Sequence, residues 1–309
     1  MNVEIDSLYQ GMMDRLSDLR RERRGYEEVL CFYAEVLAAQ RAAQQDMVVA
    51  EPDLPEENTR LRVREGFPLI ARESFPVDIK GAELLFGKLC RVSRKGNPLL
   101  ASAGKALQDA VDRQEFNFAQ LISATLTEKS EDIKILADGA GVSPTILCAL
   151  GRWSMQPSLF ALSLAVAGEP LLDDWQRGHC PICGAFPAMA ALVGKEGKRW
   201  ALCSFCGHVW RLNRVGCPFC GTENHKGLRY FYAEGEEVYR VYVCDHCTAY
   251  LKVMDTRKQG NLQALPVDDV ATAHLDLLAE GEGYVRKAPG VMPMKIDSTG
   301  FCAKSKAKT

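Results

Sequence analysis

From Glu27 onward, apolar positions first recur with the period of a helix. In Glu27–Met47, the residues Val29, Leu30, Tyr33, Val36 and Leu37 fall on one face, and no proline or glycine interrupts the segment. A loop marked by Pro52 and Pro55 follows, then an irregular stretch containing Pro68 and Pro76. Asp78 to Arg94 is helical again, with Leu84, Leu85 and Leu89 on one side. Asn97-Pro98 and Ser143-Pro144 each read as an N-cap followed by proline at the first helical position. Between them, Phe116–Leu126 and Ser130–Ala137 predict two more helices, the second closed by Gly139 and Gly141. Gln156-Pro157 opens an apolar helix that runs to Ala167, the most buried of the set, and Gly168-Glu169-Pro170 ends it.

Beyond residue 170 the period shortens. Ala185–Leu202 reads as an apolar run, a Gly-Lys-Glu-Gly-Lys turn, and then Arg-Trp-Ala-Leu. Gly227–Val243 reads as Leu-Arg-Tyr-Phe-Tyr, a Glu-Gly-Glu turn, and Val-Tyr-Arg-Val-Tyr-Val. Both are hairpin patterns. Tyr250-Leu251-Lys252-Val253 adds a strand. Pro266 starts a helix through Leu278, with Asp268 or Asp269 near its positive end. The class is therefore α+β. An N-terminal all-α domain over residues 1–170 precedes two small metal-binding β units, over 171–214 and 215–289. The second unit carries a short C-terminal helix, and a disordered tail over 290–309 holds a stray thiol at Cys302.

Candidate chemistry gathers around the hairpins. Eight of the twelve cysteines form four Cys-x-x-Cys knuckles: Cys180/Cys183, Cys203/Cys206, Cys217/Cys220 and Cys244/Cys247. Two intervening residues let a turn aim both sulfurs at one point, and two such turns close a tetrahedral four-sulfur site. Because a hairpin separates the members of each set, Cys180/Cys183 is expected to pair with Cys203/Cys206, and Cys217/Cys220 with Cys244/Cys247. An interleaved arrangement is the alternative, as are disulfides or buried thiols. Gly184, Gly207 and Gly221 follow three knuckles, where positive φ would turn an N–H toward a thiolate; Thr248 follows the fourth. Each structural site would contribute about 10 kcal/mol to folding. Cys31, Cys90 and Cys148 sit within apolar helical patterns and read as packing residues.

Composition and charge narrow the function classes. The formal net charge of the 309 residues is -2, and no apolar run reaches the length of a membrane span. Residues 1–25 lack a signal peptide's apolar core, and Arg20-Arg21 and Arg23-Arg24 read as a charged helix surface. The protein is therefore expected to be cytoplasmic, where thiols stay reduced and available to metal. From Cys180 to Tyr250, eight Lys/Arg face six Asp/Glu. Two divalent ions on eight thiolates turn that small excess negative, so a nucleic-acid-binding ribbon is disfavoured. Thiol–disulfide catalysis is disfavoured too, because these pairs sit at hairpin ends and not at helix N-termini. His179, His208 and His246 adjoin knuckles that already offer four thiolates. Trp200, Trp210, Tyr230, Tyr232, Tyr239 and Tyr242 divide between packing and a partner-binding face. No catalytic residue is assigned.

The doubled Cys-Pro-x-Cys-Gly elements at 180–184 and 217–221, with Cys203–Gly207 and Cys244–Cys247, resemble the rubredoxin-type centre of the FdhE family, formate dehydrogenase accessory proteins. Asp173-Asp174-Trp175 before the first knuckle fits that pattern, as do Tyr250–Asp255 after the last, the helical first half, and the Asp-Asp and leucines of Pro266–Leu278. The resemblance implies two rubredoxin-like units whose eight cysteines are the metal ligands, with iron favoured and zinc as the alternative. It also implies a non-catalytic assembly factor that contacts the catalytic subunit of respiratory formate dehydrogenase in the cytoplasm before export. A rubredoxin-type electron carrier is the competing reading. A zinc-ribbon nucleic-acid binder is a more distant one.

Overall fold

The computed structural model describes residues 2–290 except 51, 53, 55 and 257–261. Pro55 of the expected loop, Cys302 and the tail from residue 291 lie outside the described residues. Eight helices come first among these: α1 (Asn2–Glu22), α2 (Glu27–Gln44), α3 (Glu56–Glu65), α4 (Ile79–Ser93), α5 (Pro98–Asp112), α6 (Phe118–Leu126), α7 (Ser130–Ala140) and α8 (Pro144–Val166). The sequence pattern singled out neither α1 nor α3. Yet α1 carries a clear stripe, burying Ile5, Tyr9, Met12, Leu16 and Leu19 at alternating spacings of four and three. α3 is almost wholly polar and buries Val63 and Thr59, so no periodicity announces it.

The chain packs as two compact units. The all-helical one comprises Met13–Val48 and Val77–Ser158. Its core holds Leu30, Leu37, Leu85, Leu89, Leu100, Leu107 and Leu121, all buried. Leu84, expected on the buried side of α4, points outward and is 71% exposed. One residue is a rotation of about 100° on a helix, and Leu85 takes the inward position. Helix starts follow the sequence: Asp78 and Asn97 accept N–H bonds from Gly81 and Leu100 at 3.0 and 2.9 Å. Gly141, at φ 66°, closes α7 in the left-handed conformation.

Pro157 corrects the expectation that a new helix begins there, because α8 runs through it from Pro144. A proline inside a helix strands the carbonyl four residues back, here that of Trp153. The buried amide of Gln40 donates to that oxygen at 2.8 Å, so α2 provides the donor that proline lacks.

The second unit comprises Met1–Met12, Val49–Pro76 and Leu159–Val291. Both expected hairpins form within it. β1 (Pro187–Val193) pairs with β2 (Lys198–Cys203), which pairs with β3 (Val209–Arg211). β4 (Leu228–Phe231) pairs with β5 (Tyr239–Cys244), which pairs with β6 (Ala249–Asp255), all antiparallel. The two meanders then join edge to edge. β1 and β6 run parallel, with Met189 opposite Lys252 and Leu192 opposite Asp255, giving the order β3-β2-β1-β6-β5-β4. β1 and β6 share one burial pattern, with five buried residues leading each strand, which suits the centre of a covered sheet. β7 (Val285–Arg286) adds to β6.

Where one helix was expected from Pro266 to Leu278, two form: α9 (Leu265–Ala271) and α10 (Ala273–Gly281), broken at Thr272. The break frees carbonyls for Lys252, whose Nζ donates to Asp269 O at 2.8 Å and Thr272 O at 3.4 Å. Leu265, Leu275 and Ala279 of these helices pack on Met189, Ala191, Tyr239, Val241 and Tyr250, covering one face of the sheet. Asp268 and Asp269, expected merely near a helix's positive end, are buried in this interface. Tyr239 donates its hydroxyl proton to Asp268. Lys252 pairs with Asp269 at 2.9 Å and Asp276 at 2.7 Å, and Arg286 pairs with the same two carboxylates at 2.7 and 2.9 Å.

Candidate metal centres

Each knuckle sits at the mouth of a hairpin, so strand pairing brings distant cysteines together. Cys203 ends β2 and Cys244 ends β5, while Cys180/Cys183 precede β1 and Cys217/Cys220 precede β4. The sulfurs of Cys180, Cys183, Cys203 and Cys206 form one set, and those of Cys217, Cys220, Cys244 and Cys247 the other. All four atoms of each set lie within 4.8 Å of one another. None of the cysteines in the described residues is in a disulfide. Sulfur separations across the first set are 3.7 Å (Cys180–Cys206) and 3.3 Å (Cys183–Cys203). Across the second they are 3.6 Å (Cys217–Cys247) and 3.8 Å (Cys220–Cys244). A tetrahedron with metal–sulfur bonds of about 2.3 Å has edges of about 3.8 Å, so both sets fit a four-coordinate thiophilic ion.

The knuckle backbone supplies donors to the sulfurs. Phe205 and Cys206 N–H approach Cys203 Sγ at 3.3 and 3.4 Å. Phe219 and Cys220 N–H do the same for Cys217, and the N–H groups of Thr222 and Ala249 serve Cys220 and Cys247. The glycines act differently from expectation. Gly184 and Gly221 give their N–H to the carbonyls of Cys180 and Cys217, both at 2.9 Å. Their φ of 74° and 73° instead turns the chain so that the following N–H can meet the second sulfur, as Thr222 does. Thr248 adopts φ 55° at the fourth knuckle, the same left-handed turn without glycine.

The thiols do not share one acidity. Burial pushes Cys180 and Cys206 well above the ordinary thiol range. Against the same burial, hydrogen bonds from the neighbouring thiols and from Phe205 N–H draw Cys203 well below it. In the second set, burial is outweighed by Thr222 N–H, His246 and two thiols, which lower Cys220 to about 6. Filling either set with a metal therefore releases protons from the remaining thiols.

The two sets differ in access. All four sulfur-bearing residues of the first are buried, whereas Cys220 is exposed and Cys247 half-buried in the second. The stretch around Pro68, irregular in sequence terms, covers the first set. Leu69 and Ile70 N–H donate to the carbonyls of Pro181 and Ile182 at 2.7 and 2.9 Å, and Phe75 meets the Phe205 ring edge-on at 5.6 Å. Arg72 stands over that same ring.

None of the three neighbouring histidines belongs to a sulfur set. His179 Nε2 lies 3.1 Å from Gly66 O, His208 is lowered to about 4 by burial, and His246 hydrogen-bonds to Cys220. Of the aromatic residues, Trp210 and Tyr239 are buried and Trp200 and Tyr242 half-buried. Tyr230 and Tyr232 are exposed, with Tyr230 stacked on Tyr242 at 5.4 Å. Cys90 is buried, and Cys31 and Cys148 are partly so. Among the described residues, no single helix is long and apolar enough to cross a membrane.

Comparison with known proteins agrees along most of the chain. Residues 215–292 match the family described as FdhE, C-terminal domain. An FdhE homolog of Aquifex aeolicus is 23% identical over 93% of this chain and 95% of its own. One from Pseudomonas putida is 28% identical, covering 84% and 80%. An FdhE of Shigella boydii is 26% identical, covering 92% and 87%. The crystal structure of the FdhE protein from Pseudomonas aeruginosa superposes with a TM-score of 0.67 at 22% identity. It covers 93% of this chain and 96% of that one, which establishes a shared fold. The resemblance read at the knuckles thus extends far beyond them.

Proposed function

Taking the likeness to FdhE as premise, we propose that this chain is a non-catalytic accessory protein for respiratory formate dehydrogenase. It binds the catalytic subunit in the cytoplasm before export and uses two four-cysteine metal centres. The observation that carries this reading is the pair of four-sulfur sets in a chain similar to FdhE proteins over most of its length. The eight ligands are Cys180, Cys183, Cys203 and Cys206 for the first ion, and Cys217, Cys220, Cys244 and Cys247 for the second.

Iron is favoured and zinc is the alternative: both suit four thiolates, and backbone N–H bonds to sulfur tune an iron centre's potential. Bound iron would supply one-electron exchange, whereas zinc would supply cross-linking alone. The protein's own contribution is to hold the thiolates at tetrahedral spacing and keep water from the first set. The exposed rim of the second set favours, as a second reading, electron transfer through that centre.

The test has two arms. Protein purified without oxygen is assayed for metal and then exposed to air. Two irons per chain, colourless when reduced and red when oxidised, support rubredoxin-like centres; two zincs and no colour support a structural module. In the second arm, tagged protein is used to retain the formate dehydrogenase catalytic subunit from anaerobic cells. Failure to retain it, with both metal sites filled, would sink the accessory reading.

A further inference from the structure

Arg199 is buried without an acidic partner. It sits on β2, in the first meander, and is 4% exposed. Its Nη2 reaches across to the second metal unit and donates to the carbonyl of Gly216 at 2.8 Å, directly before Cys217. Its Nε has no hydrogen-bond partner among the described residues. Among the described residues no carboxylate lies within ion-pair distance of it. Glu196, which lines a shallow recess on one side of Arg199, pairs instead with Lys198 at 3.3 Å.

A lone guanidinium in such a place is expensive, because the interior cannot replace the water that stabilised its charge. Burial accordingly makes the cation easier to discharge, and the groups that oppose this are Tyr242 and Cys217. On its other side Arg199 borders a recess of about 220 Å³ whose walls include Cys217 and Cys244, two members of the second sulfur set. The missing negative charge is therefore at hand. Four thiolates holding a divalent ion carry a net charge of minus two, and minus one around a trivalent ion.

We propose that Arg199 is the fixed counter-charge of the second four-cysteine centre, a cation lent by the first meander that stabilises the anionic thiolate site and raises its reduction potential. The inference rests on the metal-binding reading above. A positive charge stabilises the reduced ferrous site, the more negative form, over the oxidised one. Among the described residues the first set has no equally buried equivalent. Arg72 contacts Cys183 O at 3.3 Å but is only partly buried. Arg199 acts on the ion through the ligands and is thus a positioning and tuning residue.

The experiment uses the full chain loaded with iron and titrated without oxygen, following the visible bands of the two centres. R199Q keeps an N–H for Gly216 but loses the charge; R199K keeps the charge. In R199Q, the oxidised-to-reduced ratio of one centre at a fixed potential is expected to rise about tenfold, equivalent to about 59 mV for one electron. The other centre should stay unchanged, and R199K should stay close to the unmodified protein. Zinc-loaded R199Q should likewise release one of its two ions to a chelator about tenfold faster. Should R199Q fail to fold, R199M, which fills the same space without charge, is measured in its place. Unchanged potentials overturn the proposal. So does an equal shift in R199K, which would make shape and not charge the cause, or a shift of both centres together. An unmodified chain that binds fewer than two ions overturns the two-centre reading itself, and the proposal with it.

Discussion

Gln40→Leu should unsettle the helical unit out of proportion to its size. The amide of Gln40 is 2% exposed and donates to Trp153 O at 2.8 Å, the carbonyl that Pro157 leaves without a helical N–H. Leucine has nearly the same volume, so the cavity contribution is small. What remains is the loss of the Gln40 donor to a buried carbonyl, worth ~1–3 kcal/mol. The decisive perturbation is a second change, Pro157→Ala, which restores an N–H at position 157. In that background Gln40→Leu should lose most of its cost, giving a coupling energy of ~1–2 kcal/mol in a double-mutant cycle. Urea unfolding followed by helical circular dichroism reads the four proteins, with unchanged slopes so that midpoints compare directly. The same cost in both backgrounds would refute the reasoning, because Gln40 would then be packing without compensating for proline.

Three further outcomes follow from the second unit and the helical core. Lys252→Met leaves the buried Asp269, and Asp276 beside it, with Arg286, which is only half-buried, and should cost ~3–5 kcal/mol by denaturant unfolding; a change under ~1 kcal/mol would mean Arg286 suffices. Cys180→Ser should cost one ion and loosen the buried first set, while Cys220→Ser, at an exposed rim, should cost the other ion with a smaller loss of stability. Native mass spectrometry counts the ions, and loss of both from either variant would contradict two independent sites. Burial raises the Cys90 thiol from 9.0 to about 12, which lowers its reactive thiolate at pH 8 by roughly a thousandfold. Iodoacetamide should therefore spare Cys90 until the helices unfold, and prompt labelling in the folded state would disprove its burial.

The two four-sulfur sets were largely legible in the sequence because their signal is local. A Cys-x-x-Cys turn specifies where two sulfurs point, and the hairpin between two turns specifies which pair meets which. The turn residues carried information too, although the glycine N–H groups serve carbonyls and it is the next residue that faces the sulfur. What local patterning could not reveal was access. Residues 66–75, a proline-marked stretch without periodicity, cover the first set and leave the second with an exposed cysteine.

The sequence by itself determined the class, the helix starts at Asp78 and Asn97, the hairpins and the eight-cysteine framework. Each of these follows from residues within a few positions of one another, where capping, turn geometry and periodicity act. Tertiary structure alone decided the parallel seam between β1 and β6, the passage of α8 through Pro157, and the burial of Lys252, Asp269 and Arg199. For the proline and the buried lysine a polar group is satisfied by a partner far along the chain: Gln40 lies 113 residues from Trp153, and Lys252 lies 17 from Asp269 and 24 from Asp276. A buried charge or a helix-borne proline reads as an anomaly until the fold brings up the group that compensates it, and no spacing rule encodes that meeting.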